Sequence, residues 1–209
     1  MAWIYGNRYL SQAEMENNAL EVWRCLSGYG CSINGVAGIL GNMQAESTIN
    51  PGIWENLTPT TTPDVSVGYG LCQWTPWNKY ADWAGSGWEN NGNKECDRIK
   101  YEADNGIQWF ENYSAPNIGL PVFPDITLWQ MLTSTTLSAE DLASRFLVYY
   151  EHPRADLIVS TNTGRRSNAA YWYNYLQGQP PGPTPAGRPP IWLLFKLKER
   201  YYKQNGYTY

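Results

Sequence analysis

The chain has 209 residues, 43% of them hydrophobic, which is enough for one well-packed domain with an appendage but hardly for two full domains. Its net charge of −4 argues against nucleic acid as a partner, because phosphate binding needs a basic surface. No apolar run is long enough to cross a bilayer, and the first residues lack a basic and then apolar export signal. Four cysteines (Cys25, Cys31, Cys72, Cys96) without CxxC spacing, and a single histidine, His152, give no support for a zinc site or a Cys–His nucleophile. With no export signal the thiols are expected to be reduced and structural, although Cys25 and Cys31 could bridge the loop after a first helix.

In chain order, Ser11-Gln-Ala-Glu14 reads as a capping box opening a helix that carries Leu20, Trp23 and Leu26 and stops near Gly28. A second helix should begin at Ser32, with Ile33, Val36, Ala37, Leu40 and Met43 as one buried stripe. The same helix holds Gly35, Gly38 and Gly41. Each costs about 1 kcal/mol relative to alanine in a helix interior, so another backbone or a ligand must approach closely there. Residues 47 to 93, rich in Gly, Pro, Thr, Asn and Trp, read as loops with room for short strands. Helices are predicted over 94–113, over 127–133, from Ser138 to an end set by Pro153, and over 165–176 with Gly178 just past the end.

The Pro-rich stretch 179–190 reads as a semi-rigid linker. Beyond it, 191–209 joins an apolar block, Ile191 to Phe195, to Lys196, Lys198, Arg200 and Lys203. That composition suits docking onto a partner protein or an anionic membrane surface; the competing reading is packing back onto the domain. Eleven Trp and sixteen Tyr fit either a ring-filled core or a groove for a ligand with flat apolar faces and polar rims, as a sugar has.

Glu46 carries the chemistry. It continues the buried stripe of the second helix to its C-terminal end, where both burial and the helix dipole disfavour a negative charge. A general acid working near neutral pH needs that environment. Gly68-Tyr-Gly-Leu-Cys-Gln-Trp-Thr75 follows as a tight, glycine-hinged segment. Its Gln73 offers both a donor and an acceptor to an N-acetyl or hydroxyl group.

The segments Gly41-Asn-Met-Gln-Ala-Glu-Ser47, Asn50-Pro51 and Gly70-Leu-Cys-Gln-Trp-Thr75 resemble the catalytic segments of the phage tail lysozyme family. That family is related to goose-type lysozymes and soluble lytic transglycosylases. Tyr149-Tyr-Glu-His-Pro153 is similar to a later aromatic-Glu-x-Pro segment of the family, and the resemblance spans about residues 15 to 178. It implies a mainly α, lysozyme-like fold in which a helical domain and a small irregular or β loop region form a substrate groove. It also implies peptidoglycan as the target, at the β-1,4 bond between N-acetylmuramic acid and N-acetylglucosamine, without a cofactor or metal. The place of action would be a phage virion or an infected bacterial host, and a virion tail protein or membrane surface is the expected contact of 191–209.

By matching position, Glu46 is the catalytic acid. Gln73, Tyr69, Trp74, Tyr150 and Glu55 are candidates for binding sugar. Asp64 is the expected second carboxylate, activating water for an inverting hydrolysis; its competing reading is a turn former, and Glu55 is the alternative. Glu151 reads as a buried structural partner of an arginine such as Arg166. Two other readings stay open: a lytic transglycosylase giving 1,6-anhydro products, and a virion or wall-binding protein without turnover.

Overall fold

A computed structural model describes residues 2–110, 123–152 and 158–184, with Ile158 described for its backbone alone. Helix α2 (Ile33–Ser47) forms the axis of the core. It starts where the Ser32 hydroxyl accepts the Gly35 N–H at 3.0 Å, and it is buried along most of its length, from Gly35 to Met43. Around it pack α1 (Gln12–Gly28), α5 (Leu128–Thr133), α6 (Ala139–Phe146) and α7 (Ile158–Leu176), while α3 (Asn78–Ala84) and α4 (Gly92–Asn105) complete the described helices. The capping box at Ser11 and Glu14 is present, as is one at Thr127 and Gln130.

The three glycines of α2 serve three neighbours in turn. A Cβ on Gly35 would lie 2.1 Å from the Leu132 carbonyl oxygen, one on Gly38 would lie 2.9 Å from Leu142 Cβ, and one on Gly41 would lie 2.5 Å from the Arg165 carbonyl oxygen. The close approach expected there is therefore made by backbone and packing atoms of the chain itself. At Gly41 it brings α7 against α2, which decides where Arg165 falls.

Several boundaries differ from the predictions. Helix α4 ends at Asn105 instead of continuing to 113, because Gly106 turns the chain in the left-handed region at φ 63°. Helix α7 begins at Ile158, well before 165; Val159, Thr161 and Thr163 are poor helix formers that tertiary packing overrides. Helix α6 passes into a π-helical turn, Leu147–Glu151, which His152 ends in a left-handed conformation. Pro153 lies outside the described residues.

In the region read as loop and short strands, the ordered pieces are α3, a 3-10 turn at Glu55–Leu57 and two isolated antiparallel bridges, Trp54 to Tyr69 and Tyr69 to Trp74. Rings take the place of a sheet there. Trp88 stacks on Trp77 with centroids 5.4 Å apart and meets Tyr69 edge-on at 4.9 Å; Trp54 meets Tyr69 edge-on at 4.9 Å, and Tyr80 stacks on Trp74 at 5.0 Å. Much of the aromatic content is thus structural.

All four thiols are free, and burial pushes the Cys31 thiol up to about 12. The first residues of the Pro-rich stretch lie on α1: Trp23 Nε1 donates to the Pro180 carbonyl at 3.1 Å and the Gly182 N–H donates to Ser27 Oγ at 2.8 Å. The segment 191–209 lies outside the described residues. Among those described, no helix is long and apolar enough to cross a membrane.

Candidate active site

Helix α2 ends abruptly. Thr48 and Ile49 both take positive φ, 51° and 55°, an uncommon conformation for β-branched residues, and the Thr48 hydroxyl accepts the Leu10 N–H at 2.9 Å. This exit leaves Glu46 on the last turn, with its side chain 24% exposed into a cleft of about 470 Å³. The cleft is lined by Glu46, Glu55, Gln73, Trp74, Tyr150 and Glu151, among others.

Ser47, next to the glutamate, ties the helix to the cleft loop. Its Oγ stands 2.9 Å from both the Met43 and the Leu71 carbonyl oxygens, so its one proton bonds either or is shared between them. The loop is held from below by Glu95, whose Oε2 accepts the Leu71 N–H at 2.6 Å. Gly70, at φ 78°, lies against that carboxyl group; a Cβ there would come within 2.6 Å of it. Burial raises Glu95 well above the ordinary carboxylate range, against the opposing bond from Leu71. These contacts give a physical reason for a Glu-Ser pair followed by Gly-Leu-x-Gln. The serine and the glycine lock the helix end and the loop into one unit.

The glutamine of that motif is engaged within the loop. Gln73 has φ 47° and its amide NH₂ donates to the Gly70 carbonyl at 2.9 Å and to the Ile53 carbonyl at 3.3 Å. It lines the cleft, but its donors shape the wall and are not left open for a sugar. Trp74 and Tyr150 form part of the floor, 3% and 2% exposed, and both direct their polar ends to one buried carboxylate. Glu102 accepts from Trp74 Nε1 at 3.1 Å, from Tyr150 Oη at 2.5 Å and from Arg98 Nε at 2.8 Å. Burial raises Glu102 despite these three donors. Glu55 stands at the cleft with Oε2 accepting the Gly68 N–H at 2.8 Å.

Two expected site residues are placed elsewhere. Asp64 is exposed and outside the cleft lining, with φ 59° and its carboxylate accepting from Asn78 Nδ2 at 3.1 Å, while its own N–H donates to Asn78 Oδ1. The loop uses it as a turn residue. Tyr69 is 1% exposed and lies behind the cleft wall, its hydroxyl accepting the Asn90 N–H at 2.8 Å. It belongs to the ring cluster.

The arginine that acts on Glu151 is Arg165, one position before the Arg166 named as the example. Arg166 bonds Asp141 at 2.9 Å and Ser144 at 3.0 Å. Its neighbour Arg165 faces the cleft instead, where Nη2 pairs with Glu46 Oε1 and Nη1 donates to Asn42 Oδ1 at 3.2 Å. Arg165, Glu151, Lys79 and the exposed Tyr9 are among the lining residues that sequence reasoning did not assign to the site. Two of them had a signal: Glu151 lies in the aromatic-Glu-x-Pro segment, and Arg165 in the stretch Arg165-Arg166 of a predicted helix.

A bundle of helices around a buried central helix, with a glutamate at its end opening into a cleft, defines a mainly α, lysozyme-like protein. The chain matches the phage tail lysozyme family over residues 17–176, and it belongs to that family. It is also 39% identical, over 179 residues, to Morphogenesis protein 1 of Bacillus phage B103. That match covers 83% of this chain and 43% of the relative, so the chain spans less than half the relative's length.

Proposed function

We propose that this protein cleaves the glycan strand of peptidoglycan at the β-1,4 bond between N-acetylmuramic acid and N-acetylglucosamine, with Glu46 as the general acid. The observation that carries this reading is the position of Glu46: it is the carboxyl group at the end of the central helix, half-buried and open to the cleft. A wall-binding protein without turnover has no need of an acid there. General acid help to the departing sugar oxygen is worth roughly 10²–10⁴-fold.

The place of Asp64 bears on what attacks the anomeric carbon. With Asp64 outside the cleft, Glu55 and Glu151 are the other carboxyl groups of its lining. Glu55 is the exposed one and the candidate to activate water. If Glu55 has no such part, Glu46 acts as acid and base alone, and the sugar's own 6-hydroxyl attacks, as in a lytic transglycosylase. Mass spectrometry of the soluble products from purified peptidoglycan separates the cases. Reducing sugar ends are expected; 1,6-anhydro ends would assign the transglycosylase reaction, and intact glycan would refute cleavage altogether.

The name of the Bacillus phage B103 relative supports a part built into the virion, where cleavage would open the host wall for the phage, over one accumulated for host lysis. Docking of 191–209 onto a virion protein or an anionic membrane surface belongs to the same reading. A chain ending at Gly178 or at Thr184 should then cleave isolated peptidoglycan as fast as the full chain.

A further inference from the structure

The cleft floor contains a pairing that general acid catalysis alone leaves unexplained. Arg165 is ion-paired to Glu46, a contact made by an ionised carboxylate, whereas a glycosidase acid must carry a proton when its substrate is bound. A second carboxyl group shares this corner. Glu151, at the end of the π-helical turn, lines the same cleft, and its Oε1 is buried with no hydrogen-bond partner among the described residues.

Among the described residues, the charged and titratable groups that act on Glu151 are Glu46 on α2, Arg165 on α7, Glu102 on α4 and Cys72 in the cleft loop, with Tyr150 preceding it on the turn. Burial raises Glu151 well above the ordinary carboxylate range; Glu46 raises it further, Arg165 opposes, and Glu102 adds to the rise. Among the described residues one guanidinium, that of Arg165, faces the two carboxyl groups of this corner and cannot balance both as carboxylates, so the pair retains a proton. Arg165 also keeps an unused donor: its Nε is buried and without a partner among the described residues.

We infer that Glu151 is a positioning residue for the Glu46 acid, the two carboxyl groups sharing one proton and one guanidinium, that of Arg165, and exchanging them. The inference rests on the reading of Glu46 as the acid. At rest, Glu46 is the carboxylate, holds Arg165, and Glu151 carries the proton. In the working form the proton passes to Glu46, directly or through a water in the cleft, and Arg165 turns to the Glu151 carboxylate. The net charge of the corner does not change. Glu46 then gives its proton to the departing sugar oxygen, and the proton released by the attacking hydroxyl restores the single proton of the pair.

The test is the pH–rate profile on purified peptidoglycan for the wild-type protein, Glu151→Gln and Glu151→Asp, with Glu46→Gln as control. The wild-type alkaline limb should lie above the ordinary carboxylate range. Glu151→Gln should move that limb down by about one pH unit or more, cut kcat about tenfold near neutrality with KM nearly unchanged, and regain most of its rate at about pH 4. Glu151→Asp should keep the wild-type limb. A Glu151→Gln limb that stays in place, whether the rate is unchanged or lowered evenly at every pH, overturns the inference while leaving an inactive Glu46→Gln and the Glu46 reading intact. An active Glu46→Gln overturns both. Should Glu151→Gln fail to fold, a wild-type limb within the ordinary carboxylate range overturns the inference on its own, and a limb above it supports it.

Discussion

Around α2 the chain is held by close backbone contact, with Gly35 against the Leu132 carbonyl and Gly41 against that of Arg165. Between Ile53 and Trp88 the described chain has one short helix, a 3-10 turn and two isolated bridges, and it is held by indole and phenol rings and by side chains that bond backbone, such as Glu55 to Gly68 and Glu95 to Leu71. The proposed acid stands on the first kind of structure and the cleft wall opposite its helix is made of the second. Precision at Glu46 comes from helix packing, which tolerates little change. The wall gains its shape from contacts that a few residues supply, and so it can be altered without unfolding the helices.

That contrast can be broken by substitution. Gly35→Ala should have the largest effect, because its Cβ would sit 2.1 Å from a backbone oxygen that cannot move alone. A loss of about 3 kcal/mol in urea unfolding is expected, overpacking outweighing the gain in helix propensity. An unchanged midpoint would show that the close packing has slack. Trp88→Ala should remove about 2 kcal/mol through lost ring contacts, less than for a fully buried tryptophan. Near-ultraviolet dichroism and resistance to proteolysis within 53–77 should suffer while far-ultraviolet helix signal stays. Loss of helix signal in step with the wall would mean that the two regions fold as one.

Gly164, inside α7, is the counterpart to the α2 glycines: among the described residues a Cβ there meets nothing within 4 Å. Gly164→Ala should therefore stabilise the protein by up to about 1 kcal/mol. Destabilisation would place an unseen neighbour over that face.

The smallest effect expected is one of pH at the start of α1. The Arg8 guanidinium, with the Ser11 N–H and hydroxyl, lowers Glu14 to about 2. The folded value is below the ordinary one of about 4.3, so the contribution is complete above that pH and fades as pH falls toward about 2. The difference in Tm between wild type and Glu14→Gln should shrink across that window, and added salt should reduce it, since the pair is exposed. A difference that grows with acid would contradict the assignment.

How much of this was legible depended on which physics set each feature. The spacing of Gly35, Gly38 and Gly41 announced a close approach, and the stripe from Ile33 to Met43 led to Glu46. Both follow from helical period alone. The choice between Arg165 and Arg166 did not. Adjacent residues point roughly 100° apart on a helix, and the start of α7 was hidden among β-branched residues. Asp64 and Tyr69 were misplaced because loop paths follow from distant partners: Asn78 for one, the rings of Trp54 and Trp88 for the other. Glu95, Arg98 and Glu102 fall three and four apart along α4, and charged residues at that spacing read as a solvated face. Burying them requires the loop N–H, the indole and the phenol that arrive from elsewhere in the chain.

The central claim is that the carboxyl group at the end of α2 supplies the proton for glycan cleavage. Glu46→Gln tests it most directly, since the amide keeps the size of the side chain and a hydrogen-bonding oxygen for Arg165 but has no proton to transfer. Release of soluble sugar from purified peptidoglycan by this variant should fall at least about a hundredfold, with the melting temperature little changed. A folded Glu46→Gln protein that retains a third of the wild-type rate would contradict the account.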